Sequence, residues 1–351
     1  MDNSDHSNLR IAIVRFSALG DVVMVAAAVR ALQLQMPGAT ITWITSPLAF
    51  SLLQGMQKIH FEVIEKPRSW QDYRAFYRYF KQKKFDVVLA MQANLRINLL
   101  YPALQSPRKI GFDRTRAKEG QWLVCNQHIT FQDSHLVDSF LSFVQMLTDK
   151  PAVAIWGLPV DESDLTWARE QLQDLPKPWI AIHPYASKSE RNWLPERYVE
   201  VIKQSIARWQ SGILLTGGNA TAELSLCEQL ALHSPESTLN LCGKTTPKKL
   251  AALLSLADVL IAPDTGAVHI ARAMNTPVVG LYAVAPPELT GPYQRMKYCV
   301  NRYPQAAQMF LHKNAEQLSW NTRVHHREAM FLITVDDVMA QLDKALIEAR
   351  T

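Results

Sequence analysis

The length, composition and charge of the chain set its broad class. It has 351 residues, of which 48% are hydrophobic and 20% charged, and its formal net charge is +5. These values indicate a soluble globular protein and exclude a disordered or fibrous one. Since one domain averages roughly 150 residues, we expect two domains.

Several other classes of protein are disfavoured by local features. The longest apolar stretch, Val22 to Val29, is far shorter than the ~20 residues that span a bilayer. The amino-terminal segment has no apolar region of the length that a secretory signal needs, so we expect a cytoplasmic protein. The four cysteines form no CxxC pair, which argues against a disulfide framework or a zinc site. No long run of basic residues is present, so we expect no nucleic-acid partner.

The first half of the chain alternates predicted strands and helices. Runs of apolar and β-branched residues predict strands, and apolar residues at helical spacing predict helices. In chain order these are a strand from Ile11, a helix from Asp21 to Gln35, a strand from Ile41, a helix from Gln71 to Lys83, a strand from Phe85 to Ala90 and a helix from Ser134 to Met146. This order predicts an open, mostly parallel sheet with helices on both faces.

A proline-containing segment from residue 151 separates this half from a second one. The second half repeats the pattern, with predicted strands at 179–183, 212–216, 239–243, 258–262 and 277–282 and helices at 195–208, 220–231, 247–256 and 267–274. We therefore predict two facing, doubly wound Rossmann-like α/β domains, 1–155 and 156–333, that bind ligands in the cleft between them. A last amphipathic helix, within 334–351, is expected to pack back on the first domain. The segment 301–327 shows neither a strand nor a helix pattern.

The turn after the first strand contains Ser17, Gly20 and Asp21. Two of the three glycines of a dinucleotide-binding fingerprint are absent, which disfavours a Rossmann dehydrogenase. Asp21 lies at a helix amino end, where a carboxylate is a favourable cap. Its place at the carboxyl end of a strand also favours a general base that accepts the proton of an attacking hydroxyl. Both interpretations stay open on this motif alone.

Loops of the second half carry residues suited to a nucleoside diphosphate. The Asp264-Thr265-Gly266 turn follows a strand, so its backbone amides are expected to face a phosphate, with His269 one helical turn further. A simple cap and an ordinary surface histidine are the alternatives. 

Two more loops follow strands in the same half. Ser187 and Arg191 lie in a polar loop suited to phosphate oxygens, for which a solvated loop is the alternative. Gly217 and Gly218 allow close backbone approach, and Glu223 is a candidate acceptor for ribose hydroxyls. Alone, this last motif is weak.

Together these motifs resemble the glycosyltransferase family 9 heptosyltransferases. The shared patterns, in order, are Ser17 to Asp21, Asp264 to His269, Thr276 to Leu281 and Thr290 to Tyr293. Within the family, the stretch from Gly111 to Trp122 and the one ending at Arg96 resemble the heptosyltransferase I, OpsX-like group. Two positions depart from the family pattern: Arg191 stands where a lysine is common, and Ala283-Val284-Ala285 stands where Gly-Pro-Thr is frequent.

The resemblance implies a GT-B fold and an inverting transfer of heptose from ADP-L-glycero-D-manno-heptose to the Kdo-lipid A inner core of lipopolysaccharide, with or without phosphate on the Kdo. It further implies a monomer in peripheral contact with the inner face of the inner membrane, with no metal. Two rival functions stay open: a nucleotide-sugar epimerase that releases free sugar, and a non-catalytic nucleotide-sugar-binding protein.

The resemblance also assigns roles to individual residues. Asp21 is the expected base. The expected donor-binding residues are Ser187, Arg191, Gly217, Glu223, Asp264, Thr265, Gly266 and His269. The expected acceptor-binding residues are Ser17, Gly20, Arg96, Arg114, Arg116, Lys118 and His135.

Overall fold

The computed structural model describes residues 8–132, 135–148 and 150–348. The chain divides into two compact units, residues 1–159 and 160–351. The boundary expected after residue 155 falls in the same irregular segment, which runs from 150 to 161. The predicted start of a helix at Ser134 lies outside the described residues.

The first unit contains a six-stranded parallel sheet. Its strands are β1 (Arg10–Val14), β2 (Thr40–Thr45), β3 (Ile59–Val63), β4 (Val87–Leu89), β5 (Arg108–Gly111) and β6 (Gln127–His128). They are ordered β3-β2-β1-β4-β5-β6. The direction of strand succession reverses between β1 and β4, and the carboxyl ends of strands at such a switch point are where ligands bind in open α/β sheets.

Five helices accompany this sheet: α1 (Leu19–Gln35), α2 (Pro47–Leu53), α3 (Trp70–Phe80), α4 (Leu95–Asn98) and α5 (Leu136–Gln145). The apolar run from Val22 to Val29 makes α1 a buried helix, since all eight of these side chains are 2% exposed or less. Helix α1 packs against α5 and α2. Only four residues separate it from the end of β1, so its amino end lies close to the switch point.

The second unit repeats the same arrangement. Its strands are β7 (Trp179–Ile182), β8 (Gly212–Leu215), β9 (Thr238–Asn240), β10 (Val259–Pro263), β11 (Val278–Tyr282) and β12 (Val300–Asn301). The order is β12-β11-β10-β7-β8-β9, all parallel, so the switch point lies between β7 and β10. The predicted pair of doubly wound α/β sheets is confirmed.

The helices of this unit are α6 (Glu162–Leu172), α7 (Pro195–Trp209), α8 (Thr221–Ala231), α9 (Pro247–Leu256), α10 (Gly266–Ala273), α11 (Pro287–Thr290), α12 (Tyr303–Leu311) and α13 (Val335–Glu348). Helix α13 buries Val338, Leu342 and Leu346 in the core of the second unit, where it packs against α7 and β11. This helix was expected to pack back on the first domain, but its apolar face is instead buried within its own unit. Among the described residues, no helix has both the length and the apolar character needed to cross a membrane.

Candidate active site

Asp21 is the third residue of α1, and its carboxylate has two partners. The backbone amide of Ala18 donates to Oδ2 at 3.3 Å, so Asp21 does cap its helix. The guanidinium of Arg15, at the end of β1, donates to the same oxygen. Arg15 is itself fixed, because its Nη1 donates to the carbonyl of Met91 at 2.6 Å and its guanidinium lies 5.5 Å from the ring centre of Phe140. The Asp21 side chain stays 29% exposed, so a second molecule can still reach the carboxylate.

Gln92 connects the loop after β1 to the loop after β4. Its side-chain oxygen accepts from the amide of Phe16 at 2.7 Å, and its carbonyl accepts from the buried hydroxyl of Tyr101 at 2.6 Å. Gln121 also donates to this carbonyl, at 3.1 Å. These bonds fix the two loops relative to each other at the switch point of the first sheet.

A cavity of about 510 Å³ opens at this junction, lined by Ser17, Lys66, Gln92 and Arg96 among others. The ammonium of Lys66 donates to the hydroxyl of Ser17. Burial lowers the pKa of Lys66, and the positive charges of Arg96 and Arg15 lower it further. The neighbouring positive charges repel one another, and an anionic ligand would relieve this repulsion. The cavity is therefore suited to a carboxylate or a phosphate.

The other residues predicted to bind an acceptor do not line this cavity. Arg116 is 6% exposed and pairs with Asp113 at 3.1 Å, and its guanidinium also donates to the carbonyl of Gln132. His135 is 5% exposed and caps α5 by accepting from the amide of Val137 at 3.1 Å. The predicted Gly20 is buried in α1, whereas Arg114 and Lys118 are exposed in the segment before Gly120.

In the second unit, two predicted donor-binding loops are joined by an ion pair. Nη1 of Arg191 lies 3.1 Å from Oδ2 of Asp264, and the two side chains are 19% and 11% exposed. Arg191 lies in a short 3-10 turn, Ser189–Arg191, within the loop after β7, and Asp264 follows β10. The pair therefore spans the switch point of the second sheet. Ser187, in the same loop as Arg191, is exposed.

The amino end of α10 lies at this point. Thr265 is the N-cap residue in an extended conformation, its side chain makes no capping hydrogen bond, and the first turn carries no acidic residue. Gly266 and Thr265 are half-buried, whereas His269 is 4% exposed within the helix. Backbone amides at a helix amino end attract anions, so this turn is suited to a phosphate group.

The loop after β8 is held by Glu223, whose Oε2 accepts from the amide of Gly218 at 2.5 Å. A side chain at Gly218 would approach this carboxylate to 3.1 Å, and one at Gly217 would meet Sγ of Cys242 at 2.6 Å. A side chain at Gly217 would therefore displace Cys242, whereas one at Gly218 would press on the Glu223 carboxylate. Glu223 is half-buried and is the predicted partner of a ribose.

Arg323 is a further cation near this ion pair. Burial lowers its pKa, while the charge of Asp264 acts in the opposite direction and that of Arg191 lowers it. The two residues that follow it are anchored, because the amide of Val324 donates to the carbonyl of Val284 at 2.9 Å and His325 bonds Glu190 at 2.8 Å. 

Both arginines have bonding capacity left over. Among the residues that the structure describes, Nη1 of Arg323 and Nε of Arg191 are buried and have no hydrogen-bond partner. Buried guanidinium donors without partners are costly, so the site is suited to an anion that would accept from them.

Comparison with known proteins identifies the family. The model of glycosyltransferase family 9 (heptosyltransferase) matches residues 73–320. The lipopolysaccharide core heptosyltransferase OpsX of Haemophilus influenzae is 33% identical over 336 residues, which cover 95% of this chain and 96% of that protein. The chain belongs to glycosyltransferase family 9.

Solved structures show the same fold for this glycosyltransferase. A family 9 glycosyl transferase from Veillonella parvula superposes with a TM-score of 0.78 at 18% identity, covering 97% of this chain and 98% of that one. The E. coli heptosyltransferase WaaC with ADP superposes with a TM-score of 0.72 at 19% identity, covering 96% and 100%. The predicted GT-B fold is confirmed.

Three functional candidates of this glycosyltransferase were missed by sequence reasoning. Arg15 was visible as a basic residue six positions before Asp21, at the end of the first strand. Lys66 follows β3, a strand that was not predicted, so nothing indicated its place at the carboxyl edge of the sheet. Arg323 lies in the segment 301–327, which shows neither a strand nor a helix pattern.

Within the described residues, no group of three or more His, Cys, Asp or Glu side chains is arranged to hold a metal.

Proposed function

We propose that this glycosyltransferase transfers heptose from ADP-heptose to the Kdo-lipid A inner core of lipopolysaccharide, with inversion at the anomeric carbon. The observation that carries the proposal is the Asp21 carboxylate, which is partly exposed and fixed by Arg15. Asp21 lies four positions along the chain from Ser17, which lines the cavity with Lys66 and Arg96. Two similar proteins, a lipopolysaccharide core heptosyltransferase and a heptosyltransferase solved with ADP, support the choice of donor and acceptor class.

In the proposed reaction an acceptor hydroxyl attacks the anomeric carbon of the heptose while the bond from that carbon to the ADP oxygen breaks. Asp21 accepts the hydroxyl proton, which makes the oxygen a stronger nucleophile. A single displacement of this kind inverts the configuration at the anomeric carbon. The electron pair of the broken bond leaves on the diphosphate of ADP.

Charge that develops on the departing diphosphate requires stabilisation in the second unit. Arg191 and Arg323 supply buried donors, and the amino end of α10 supplies backbone amides. We propose that these groups carry out the role that a metal ion has in other transferases, so that transfer continues in the presence of a chelator. Glu223 is the proposed partner of the ribose.

The acceptor is the proposed ligand of the cavity beside Ser17. Kdo is an acidic sugar, and the cavity offers Lys66 and Arg96 for its carboxylate or for a phosphate attached to it. Because such an acceptor is linked to a lipid, we propose that the enzyme acts as a monomer at the cytoplasmic face of the inner membrane.

The test is a transfer assay with purified protein, in which donors and acceptors are varied separately. ADP-heptose and UDP-sugars are each supplied with Kdo-lipid A, with its Kdo-phosphorylated form, and with no acceptor. We expect ADP release and a heptosylated lipid only with ADP-heptose and an acceptor, unchanged by EDTA, and an inverted anomeric linkage by NMR. Free sugar formed without acceptor would instead indicate an epimerase, and binding of ADP-heptose without any turnover would indicate a non-catalytic protein.

A further inference from the structure

The net positive charge of this chain is concentrated in one segment, a helix and the residues that flank it. The segment 68–84, which contains α3, carries six basic residues and one acidic residue, a net charge of +5. This equals the net charge of the whole chain, so the remaining residues together are neutral. A cation cluster on an otherwise neutral protein indicates an anionic partner at that surface.

One face of α3 combines these cations with exposed aromatic groups. Trp70, Arg74, Tyr77, Arg78 and Lys81 recur at helical spacing and are all exposed, with Trp70 76% and Tyr77 41% exposed. Within the described part of the chain, none of the three cations has a carboxylate at ion-pair distance. The face is therefore free to bind a partner.

The face borders an open groove of about 720 Å³, whose opposite wall is formed by Leu99 and Pro102. Leu99 is 47% exposed, and Leu95, in the same segment, is 57% exposed. The hydroxyls of Tyr73 and Tyr77 donate to the carbonyls of Arg96 and Leu99 at 3.0 and 2.9 Å, which fixes the groove floor.

The acidic residue of the segment does not share this face. Asp72 caps the amino end of α3 and accepts from the amides of Arg68 and Ser69 at 2.8 Å. It lines a different cavity together with Glu62 and Glu65. Glu62 also binds Lys83, so that one of the six cations is neutralised, and the face with Arg74 and Arg78 keeps its positive charge.

We propose that this face of α3, Trp70 to Lys81, docks the enzyme on the surface of a bilayer that contains anionic phospholipids. Basic side chains bind the headgroups, and Trp and Tyr rings with exposed leucines enter the interfacial layer. A bilayer fits this face better than a protein partner does. Its cations surround amphipathic rings, and this combination matches the phosphate headgroups and the interfacial layer of a membrane.

The groove adjoins the cavity proposed for the acceptor sugar, since Tyr73 and Leu99 line both. Docking through α3 would bring that cavity to the membrane surface, where a lipid-linked acceptor lies. The inference thus deepens the proposed function, but its test requires no turnover.

The test is co-sedimentation of the full chain with vesicles of phosphatidylcholine alone and of phosphatidylcholine with phosphatidylglycerol. We expect binding to the mixed vesicles that weakens with added salt, and little binding to the neutral ones. The double variant Arg74→Glu and Arg78→Glu should lose about tenfold or more in vesicle affinity. The control variant Lys203→Glu and Lys313→Glu makes the same change in net charge on exposed residues of the second unit and should bind as the unchanged protein does.

A second pair of variants tests the aromatic contribution. Trp70→Ser should weaken binding severalfold, whereas Phe331→Ser, an exposed aromatic of the second unit, should not. Equal loss in both charge variants would mean attraction by net charge alone and would overturn the proposal, as would full binding by the α3 variant or no vesicle binding at all.

Failure of this inference is distinguishable from failure of the proposed function. In detergent, with a dispersed acceptor, the Arg74→Glu and Arg78→Glu variant should transfer heptose as the unchanged protein does. Transfer without vesicle binding would overturn the docking surface only, and vesicle binding without any transfer would overturn the proposed function only.

Discussion

The amino ends of α1 and α10 both lie at the switch points of two sheets with the same strand order, α1 after the first strand of its sheet and α10 after the fourth, but their chemistry differs. Helix α1 carries its own carboxylate, Asp21, in the first turn, paired with Arg15. Helix α10 has no acidic residue in its first turn, and a long loop after β7 brings Arg191 to Asp264 beside it. One helix end thus presents a proton acceptor, and the other is open to an external anion. We propose that this arrangement serves the nucleophile at one helix end and the leaving group at the other.

The largest expected effect comes from removing the carboxylate at α1. Asp21→Asn keeps the shape of the side chain but cannot accept a proton, so kcat should fall by about 10²–10⁴-fold. Turnover at saturating donor and acceptor measures this, and thermal unfolding checks that the fold is kept. A variant that retains most of its turnover would reduce Asp21 to a helix cap and remove the contrast between the two ends.

At the other helix end, the expected effect is on donor binding. Arg191→Ala should raise the Kd of ADP by about 10- to 100-fold, because charge-assisted hydrogen bonds contribute about 1.5–3 kcal/mol. Arg191→Lys should recover part of this affinity, since it keeps the charge but loses the planar fork. Calorimetric titration of ADP measures both.

Arg169→Ala is the matched control for this experiment. Arg169 lies in the same unit and pairs with Glu162 at 2.6 Å, with both side chains more than half exposed. Its replacement should leave ADP affinity unchanged. An equal loss in the Arg169 and Arg191 variants would show that Arg191 acts through stability and not through the diphosphate.

A smaller effect is expected for Lys66, which distinguishes the acceptor cavity from the donor loops. Lys66→Met should raise the acceptor KM by about tenfold without changing ADP affinity. Lys118→Met tests the rival prediction from sequence, since this exposed lysine does not line the cavity, and it should change the acceptor KM less.

The same variant should also be more stable. The pKa of Lys66 is lowered in the folded protein, so the unfolded chain binds more protons and stability rises with pH through the range below 10.5. Removing the charge removes that penalty at neutral pH, and the Tm of Lys66→Met should increase. A lower Tm together with an unchanged acceptor KM would contradict a role in binding.

The smallest effect concerns His183, at the start of the loop that carries Arg191. Burial lowers its pKa to about 4, and its Nδ1 contacts the hydroxyl of Thr216 at 3.1 Å. Since this pKa lies below the ordinary histidine value of 6.5, the unfolded state gains protons first as the pH falls. Stability is fully present above 6.5 and is lost towards 4, by about 2 kcal/mol between about pH 7 and about pH 5.

Denaturant unfolding at both pH values measures this dependence. The variant His183→Gln should lose less stability over the same interval than the unchanged protein does. An equal loss in the two proteins would assign the pH dependence to other groups.

Sequence patterns predicted the core strands and long helices well and the edges poorly. Helix α9 has the predicted bounds, Pro247 to Leu256, because its apolar spacing is regular. Strands β5 and β6 were missed, since they have four and two residues and carry polar side chains such as Lys109 and Gln127. Such strands form because neighbouring strands pair with them, which a local pattern does not record.

Residues of the candidate site were likewise predicted where they follow a regular core strand and missed where they do not. Asp21, Arg191 and Asp264 were found because each follows a recognisable strand at the carboxyl edge of its sheet. Arg323 was not found, because a distant contact between Val324 and Val284 places it. Arg116 was predicted for the acceptor, but its pairing with Asp113, three residues earlier, buries it within the first unit.

The most direct test of a division of labour between the two helix ends is the ADP affinity of Asp21→Asn, measured in the same preparation as its turnover. We expect turnover to be lost while the Kd of ADP stays within about twofold of that of the unchanged protein, a difference well under 1 kcal/mol. A loss of ADP affinity of about tenfold or more would place Asp21 in the donor site and rule out separate roles for the two helix ends.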